Sequence, residues 1–155
     1  MAENNQKTEI SLQINAQYIK DLSFEAPQMP QTLLTMKKAP QISVNFDVSV
    51  QKTTQENVFT VELTSKVEAK DEENDSKVVF LCELTYGALV SVVAPETHLQ
   101  PILLVEVPHL LFPFVRSVIS NITRESGLPP LQINPIDFAS LYQQRINAAQ
   151  KESES

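Results

Sequence analysis

The stretch Ile42–Val67, ISVNFDVSVQKTTQENVFTVELTSKV, decides the fold. Apolar and polar residues alternate from Ile42 to Val50, and they alternate again from Val58 to Val67. A period of two places successive side chains on opposite faces of a β-strand. Because the polar turn between the two runs is short, we expect an antiparallel pair with one apolar and one polar face.

Two more strands are predicted, one on each side of this pair in the sequence. The run from Ile10 to Tyr18 alternates cleanly, which is typical of a half-buried strand. The run from Val78 to Tyr86 continues in strand-like fashion over 88–94, and Val79 and Leu81 make its second face partly apolar. We expect that face to meet another subunit or partner or, if the strand is central, to be covered by the chain's own loops.

Prolines separate the predicted elements. Leu22 to Pro40 contains three of them and predicts a long connection that crosses over one edge or end of the sheet. The apolar passage PILLVEV, 101–107, lies between further prolines and predicts an extended segment, either an edge strand or a lid over the sheet.

Two helices are predicted in the last third of the chain. The first begins at His109 and ends at Gly127, with Pro113 compatible only near its start. The second has Asn134 as its N-cap, Pro135 at its first position and Asp137 in its first turn. Its apolar residues recur at helical spacing.

Strands followed by helices predict an α+β fold, in which a four-stranded antiparallel sheet carries both helices on one side. With 155 residues the chain is expected to form a single domain. About eight residues at each end, 1–8 and 148–155, have little to bury and are expected to be disordered.

Composition excludes several classes of protein. The net charge of -7 opposes binding to nucleic acid phosphates and favours a basic protein partner. Apolar runs are shorter than the roughly 20 residues that span a bilayer, so membrane insertion is not expected. The polar N-terminus is unlike a secretory signal, and the single cysteine, Cys82, fits a reducing compartment, so we expect a cytoplasmic protein.

Catalytic motifs are absent from the sequence. His98 and His109 show no metal-ligand spacing, two glycines form no phosphate loop, and Cys82 lies on the apolar face of a strand. We therefore predict that the protein is not an enzyme. One alternative stays open, a small α+β ligand-binding or enzyme domain in which His98, His109 or Asp137 converge in a pocket between helices and sheet. Another is a stand-alone structural dimer.

Four stretches together carry a family resemblance: KDLSFEAP at 20–27, FLCEL at 80–84, LLFPFVRSVISN at 110–121, and GLPPLQINPIDFASLY at 127–142. In this combination and order the chain resembles the SecB family of bacterial protein-export chaperones. The resemblance covers most of the chain apart from its termini.

The resemblance implies a homotetramer, a dimer of dimers, that binds unfolded precursor proteins, prevents their folding and aggregation, and delivers them to the SecA translocation motor without a cofactor. It also implies that acidic residues on the sheet surface receive the basic, zinc-bearing tail of SecA. The matching positions in this chain are Asp21, Glu25, Leu81 and Glu83. Independently, the period of two gives Leu81 and Glu83 the same outward direction.

A groove for client proteins is the remaining implication. Unfolded chains offer apolar groups without a fixed sequence, and adaptable apolar side chains can accept them. The resemblance points to Phe112, Phe114, Phe138 and Leu141 as groove residues. Phe114 stands where the family often has tyrosine, and YGALVSV, 86–92, replaces a more glycine-rich stretch, which predicts a stiffer groove wall or an altered dimer contact.

Overall fold

Four antiparallel strands form one sheet in the order β1-β4-β3-β2, and the main helices follow the strands in sequence. The computed structural model describes residues 9–74 and 77–154. The strands are β1 (Ser11–Glu25), β2 (Gln41–Lys52), β3 (Val58–Lys70) and β4 (Val78–Val93). The helices are α1 (Gln31–Thr35), α2 (Glu96–Pro101), a π-helical segment (Ile102–Glu106), α3 (Val107–Glu125) and α4 (Phe138–Glu154). The predicted α+β class is confirmed.

The predicted antiparallel pair is present as β2 and β3, whose register runs without interruption from Gln41 opposite Lys70 to Lys52 opposite Phe59. Asn57 closes the turn with a positive φ of 62°, a conformation that asparagine adopts more readily than most residues. The connection after β1 crosses from one edge of the sheet to the other, as predicted.

Strand β1 is longer than predicted, because it continues through Leu22 to Glu25 where the sequence indicates a loop. Its register against β4 shifts between Ile14 and Ala16 and again between Ile19 and Asp21. Each shift is an extra residue that reverses which side chains face the core. The predicted single apolar face of 10–18 is therefore wrong beyond the first shift.

Tyr18 is one consequence of that reversal. It lies opposite Gly87 on the outer face, the side of the sheet away from α3. A Cβ atom at Gly87 would be only 2.5 Å from the Tyr18 Cζ, so the tyrosine ring occupies the space that a side chain would need. This close approach explains a glycine in the middle of a strand.

The core lies between the inner face of the sheet and α3. A stripe at four-residue intervals, Val107, Leu111, Val115 and Ile119, is fully buried. It faces alternate residues of β3 and β4, among them Leu63 and Leu84, which are also buried. Spacing of three to four residues on a helix against spacing of two on a strand is the pattern of a helix packed on a sheet.

The passage 96–106 is helical, so the prediction of an extended edge strand or lid is wrong. Pro95 precedes α2, while Pro101, Pro108 and Pro113 are accommodated within the continuous helix. The π-helical segment ends just before Pro108, and the Val107 amide donates to the Ile102 carbonyl five residues back. This wider turn relieves the clash that a proline ring makes with the carbonyl four residues earlier.

The continuous helix Glu96–Glu125 is long and apolar enough to cross a membrane by length and composition alone. It is the single helix of this kind in the described ranges 9–74 and 77–154. The core helix of a soluble protein meets the same criterion, and here the stripe on α3 is buried against the chain's own sheet. Helix length therefore gives weak support for a membrane span.

Gly127 ends α3 as predicted, with a φ of 87°. Its amide donates to the Arg124 carbonyl, and the Leu128 amide donates to Thr123, a pattern typical of helix C-termini. The buried Thr123 hydroxyl also accepts a hydrogen bond of 2.9 Å from the Leu131 amide. These bonds hold the segment that follows α3 back against the body of the protein.

Helix α4 begins at Phe138, three residues after the predicted start at Pro135. Asp137 is the residue that caps it, because its carboxylate accepts from the Ser140 amide at 3.1 Å and from the Ser140 hydroxyl at 2.7 Å. The prediction of Asn134 as N-cap is wrong. The helix also covers 148–154, for which the sequence predicts disorder; residues 1–8 and 155 lie outside the described residues.

The second face of β4 is covered at one end and accessible farther along the strand. Strand β4 is central, and Val79 is buried beside Thr32 and Met36 of the crossover connection. Leu81 is only partly buried. The chain's own connection therefore covers one end of this face and leaves the part around Leu81 accessible.

Candidate functional site

A continuous apolar depression, which we call the edge groove, runs along β2. One wall is the inner face of that edge strand, and the other is formed by residues 128–136 and α4. Three adjoining hollows make up the groove, with volumes of about 410, 500 and 280 Å³. The first two share Ile42 and Leu131, and the last two share Phe46. The groove is thus long enough for an extended peptide rather than a single small ligand.

The β2 wall arises directly from the alternating sequence. Ile42, Val44 and Phe46 all point to the inner face, and Ile42 remains 39% exposed because no helix covers it. The opposite wall is irregular and contains Leu131, which is tied to α3 by the Thr123 hydrogen bond. Apolar side chains therefore face solvent along both walls.

Two of the four predicted client residues lie beneath the groove. The ring of Phe112 lies 6.0 Å from that of Phe46 and 6.3 Å from that of Phe138. Phe112 and Phe138 are both buried, so they support the floor, while Leu141 lines the groove itself beside Phe46. These three are brought together by the fold.

Phe114 is separate from them. Its ring stacks on Tyr86 at 6.1 Å with an interplanar angle of 4°, and 47% of the residue is exposed. Tyr86 of β4 lies opposite Ile19 of β1, and β1 is the edge strand on the far side of the sheet from β2. The Tyr86 hydroxyl donates to Gln17, and burial raises its pKa.

An ion pair joins α4 to β2 at the third hollow of the groove. Arg145 of α4 lies 3.7 Å from the Asp47 carboxylate of β2, and both side chains are more than half exposed. Such a pair contributes at most about 1 kcal/mol, so α4 is held lightly at this position. β2 itself is an edge strand, with one side of its backbone without a strand partner in the sheet.

The four predicted SecA-binding residues share the outer face of the sheet, opposite the helices. In the register Glu25 is paired with Leu81, Ser23 with Glu83, and Asp21 with Thr85. Strands are about 4.8 Å apart and residues advance about 3.3 Å along each, so all four side chains lie within roughly 15 Å. Their placement on one face agrees with the outward direction predicted for Leu81 and Glu83, and their role stays a prediction.

The outer face also carries two charged residues of β3 that the sequence did not identify as neighbours of Leu81 and Glu83. Glu68 of β3 is paired with Leu81, and Lys66 with Glu83. The alternation of β3 already places Lys66 on the polar face, but its neighbours depend on the register between β3 and β4. That register depends on contacts distant in sequence, which explains why the sequence alone missed these residues.

The described residues contain no arrangement resembling a catalytic centre. His98, His109 and Asp137 are exposed and line none of the hollows of the edge groove. Two hydrogen bonds from Ser140 lower the pKa of Asp137, which fits its role as a helix cap. Residues 9–74 and 77–154 contain no group of three His, Cys, Asp or Glu side chains that could hold a metal ion.

Cys82 is fully buried on the inner face of β4. Burial first, and the neighbouring Glu83 carboxylate second, raise the pKa of its thiol to about 11. The thiol is therefore protonated at neutral pH and is a poor nucleophile. The prediction of a buried, inert cysteine is confirmed.

Comparison with known proteins identifies the family. The family model described as "Preprotein translocase subunit SecB" matches residues 4–149. This chain belongs to the SecB family. SecB proteins are chaperones and not enzymes, so the prediction that this protein is a non-enzymatic export chaperone is confirmed.

Relatives named protein-export protein SecB match over almost the whole chain. The protein from Rhodospirillum rubrum is 42% identical over 90% of this chain and 85% of its own length. The one from Gluconacetobacter diazotrophicus is 48% identical over 85% of this chain and 81% of its own. As a member of this family the protein is a soluble chaperone, and helix Glu96–Glu125 is a core helix.

A solved structure with the same fold comes from Mycobacterium tuberculosis. It is a SecB-like chaperone in complex with a ChAD peptide from an antitoxin, and it has a TM-score of 0.66 to this chain. The match covers 81% of this chain and 90% of the other, at 15% sequence identity. At that identity the similarity establishes a SecB-like fold.

Proposed function

We propose that this SecB family member is a cytoplasmic chaperone that holds unfolded precursor proteins in the edge groove and delivers them to SecA. The observation that carries the proposal is the groove itself, an open apolar channel bounded on one side by an edge strand. An unfolded segment brings both apolar side chains and unpaired backbone groups. A channel of this kind can accept the side chains while the free edge of β2 pairs with the backbone.

Specificity for unfolded chains follows from the same geometry. A folded protein has buried its apolar residues and has no extended segment free to enter the channel. The peptide bound to the M. tuberculosis SecB-like chaperone supports a peptide-binding role for this fold. Phe112 and Phe138 support the floor, and Leu141 forms part of the wall.

We further propose that four copies assemble as a dimer of dimers. A second apolar surface, at the β1 edge, is available for this contact. It contains Ile19, Leu22, Leu110 and Phe114, which are all more than a third exposed. Leu110 and Phe114 are one turn apart on α3, and Phe114 stacks on Tyr86 opposite Ile19. Burying this surface against a second copy stabilises the assembly through the hydrophobic effect.

SecA is proposed to dock on the outer face, away from the groove. Asp21, Glu25 and Glu83 supply negative charge for the basic, zinc-bearing tail of SecA, and Leu81 supplies an apolar contact between them. Docking face and groove are on opposite sides of the sheet. A client can therefore remain bound while SecA engages the chaperone.

The proposal is tested by mass and by aggregation of a client. Light scattering is expected to give four times the 17.4 kDa chain mass, about 70 kDa. A slow-folding precursor diluted from denaturant is expected to stay soluble when the chaperone is equimolar, without ATP. A stable monomer that leaves aggregation unchanged would refute the proposal.

The small-ligand alternative is not supported by the fold. His98, His109 and Asp137 do not converge in a pocket, and each is exposed. A stand-alone structural dimer is distinguished by the same assay, because it would have no effect on aggregation.

A further inference from the structure

The outer face around Leu81 is a pattern of alternating charges rather than a uniformly acidic surface. Across the sheet, one row consists of Glu25, Leu81 and Glu68, and the next consists of Ser23, Glu83 and Lys66. Neighbouring rows on one face are about 7 Å apart. Lys66 lies in the second row, and Lys70 follows Glu68 by two residues on β3, so Glu83 and Glu68 each have a lysine within reach on the same face.

Both lysines form ion pairs with these carboxylates. The Lys66 Nζ lies 3.8 Å from the Glu83 Oε1, and the Lys70 Nζ lies 3.6 Å from the Glu68 Oε1. The Lys66 and Glu83 side chains are 53% and 47% exposed. Exposed pairs of this kind contribute little to stability, so a competing cation can replace either lysine.

The β1 side of the face differs. Asp21 and Glu25 are exposed, and neither has a cationic side chain within 4 Å in the part of the chain that the structure describes. The face thus has an open half on β1, where Asp21 and Glu25 are unpaired among the described residues and Lys20 is held by Glu62 of β3 at 3.1 Å, and a half on β3 and β4 where each carboxylate already has a counter-ion. Leu81 lies between the two halves.

We propose that Lys66 and Lys70 are internal counter-ions that a basic partner must displace in order to dock. The open carboxylates of β1 make the first contact, and the partner's cations then exchange with Lys66 at Glu83 and with Lys70 at Glu68. This inference rests on the proposed docking of SecA to the outer face. It adds a specificity mechanism, because a segment with few positive charges gains too little at the open half to displace the lysines.

Neutralising Lys66 tests the exchange. In the full-length protein at about 50 mM salt, where exposed charges are weakly screened, Lys66→Gln is expected to tighten SecA binding about threefold, measured by calorimetry. The gain arises because Glu83 is then free before SecA arrives. Lys52→Gln is the matched control, since Lys52 is paired with Phe59 and so lies on the opposite face of the same sheet. It is expected to leave the affinity unchanged.

The double variant separates exchange from simple charge repulsion. If Lys66 acts by occupying Glu83, Lys66→Gln gives no gain in a Glu83→Gln background. If Lys66 only repels the basic partner, the gain is the same in both backgrounds, and the inference is wrong. No gain in either background also overturns it.

Failure of the inference is distinguishable from failure of the docking proposal. If Glu83→Gln weakens SecA binding but Lys66→Gln has no effect, only the exchange is refuted. If Glu83→Gln and Lys66→Gln are both without effect on a SecA complex that still forms, SecA docks elsewhere and both are refuted. The thermal unfolding midpoint of each variant is expected to match that of the parent, because these positions are exposed, and such a match confirms that the fold is retained.

Discussion

Replacing Glu83 by lysine is expected to weaken SecA binding at least tenfold while leaving client binding unchanged. The substitution removes a carboxylate from the proposed docking face and places a second ammonium beside Lys66, whose Nζ lies 3.8 Å from the original carboxylate oxygen. Like charges at such a distance repel each other and any basic partner. Tenfold corresponds to about 1.4 kcal/mol, within the range of a single charge reversal at an interface.

Glu56→Lys is the matched control for this reversal. Glu56 is an exposed residue of the turn between β2 and β3, and the change in net charge is the same. SecA affinity of the control is expected to fall by less than about twofold, since the Debye length of about 10 Å at 0.1 M salt screens distant charges. Equal loss of SecA and client binding by Glu83→Lys, with a lower mass in light scattering, would indicate damage to the assembly instead of the docking face.

The second large effect is expected in the edge groove. Ile42→Asp places a carboxylate where two hollows of the groove meet, and an apolar client segment would leave that charge without a partner. Affinity for an unfolded precursor is expected to fall at least tenfold, measured by fluorescence anisotropy. The proposed tetramer would amplify the loss, because every copy carries the substitution and a long client would contact several grooves.

Ser43→Asp is the control, since Ser43 is the adjacent residue of β2, is exposed and points to the outer face. It adds the same charge to the same strand and is expected to leave client affinity within about twofold. Ile42→Ser serves as a second variant if the aspartate lowers stability, and a smaller loss of affinity is expected from it. Retention of full client affinity by both Ile42 variants would contradict the groove assignment.

The sequence predicted most of the sheet because its signals are local. Alternation from Ile42 to Val50 and from Val58 to Val67 depends only on which face each side chain occupies, so strand type and inner face followed directly. In β1 the two register shifts near Ala16 and Asp21 depend on pairing with β4. A bulge has no strong signal of its own in a polar strand, so the reversal of faces could not be foreseen.

The prolines in the region 95–108 led to the wrong prediction of an extended segment. A proline destabilises a helix locally, but the interactions that offset this loss are not all local, because a wider turn precedes Pro108 and a buried apolar stripe follows it. The start of α4 was misplaced for a related reason. Asn134-Pro135 is a good capping sequence, yet Asp137 accepts from the Ser140 amide, and residues 131–137 stay without regular secondary structure beside β2.

The candidate site was predicted in part. The two-residue alternation of β4 placed Leu81 and Glu83 on one face. The family resemblance indicated that Phe112, Phe138 and Leu141 lie near the groove. The residues that line most of the groove, Ile42, Val44 and the coil around Leu131, were read as ordinary strand and loop. Their exposure results from the absence of a helix over β2, which is a property of the tertiary structure.

Site-specific photo-crosslinking from two neighbouring positions of β2 tests the central claim most directly. A photoreactive phenylalanine analogue replaces either Val44, which faces the edge groove, or Asn45, which faces the outer side. Each variant is mixed with a slow-folding precursor diluted from denaturant and irradiated. Crosslinks to the precursor are expected from position 44 only, and they are expected to disappear once the precursor has folded. Crosslinks of equal yield from both positions, or from position 45 alone, would contradict the assignment of the edge groove as the client-binding site.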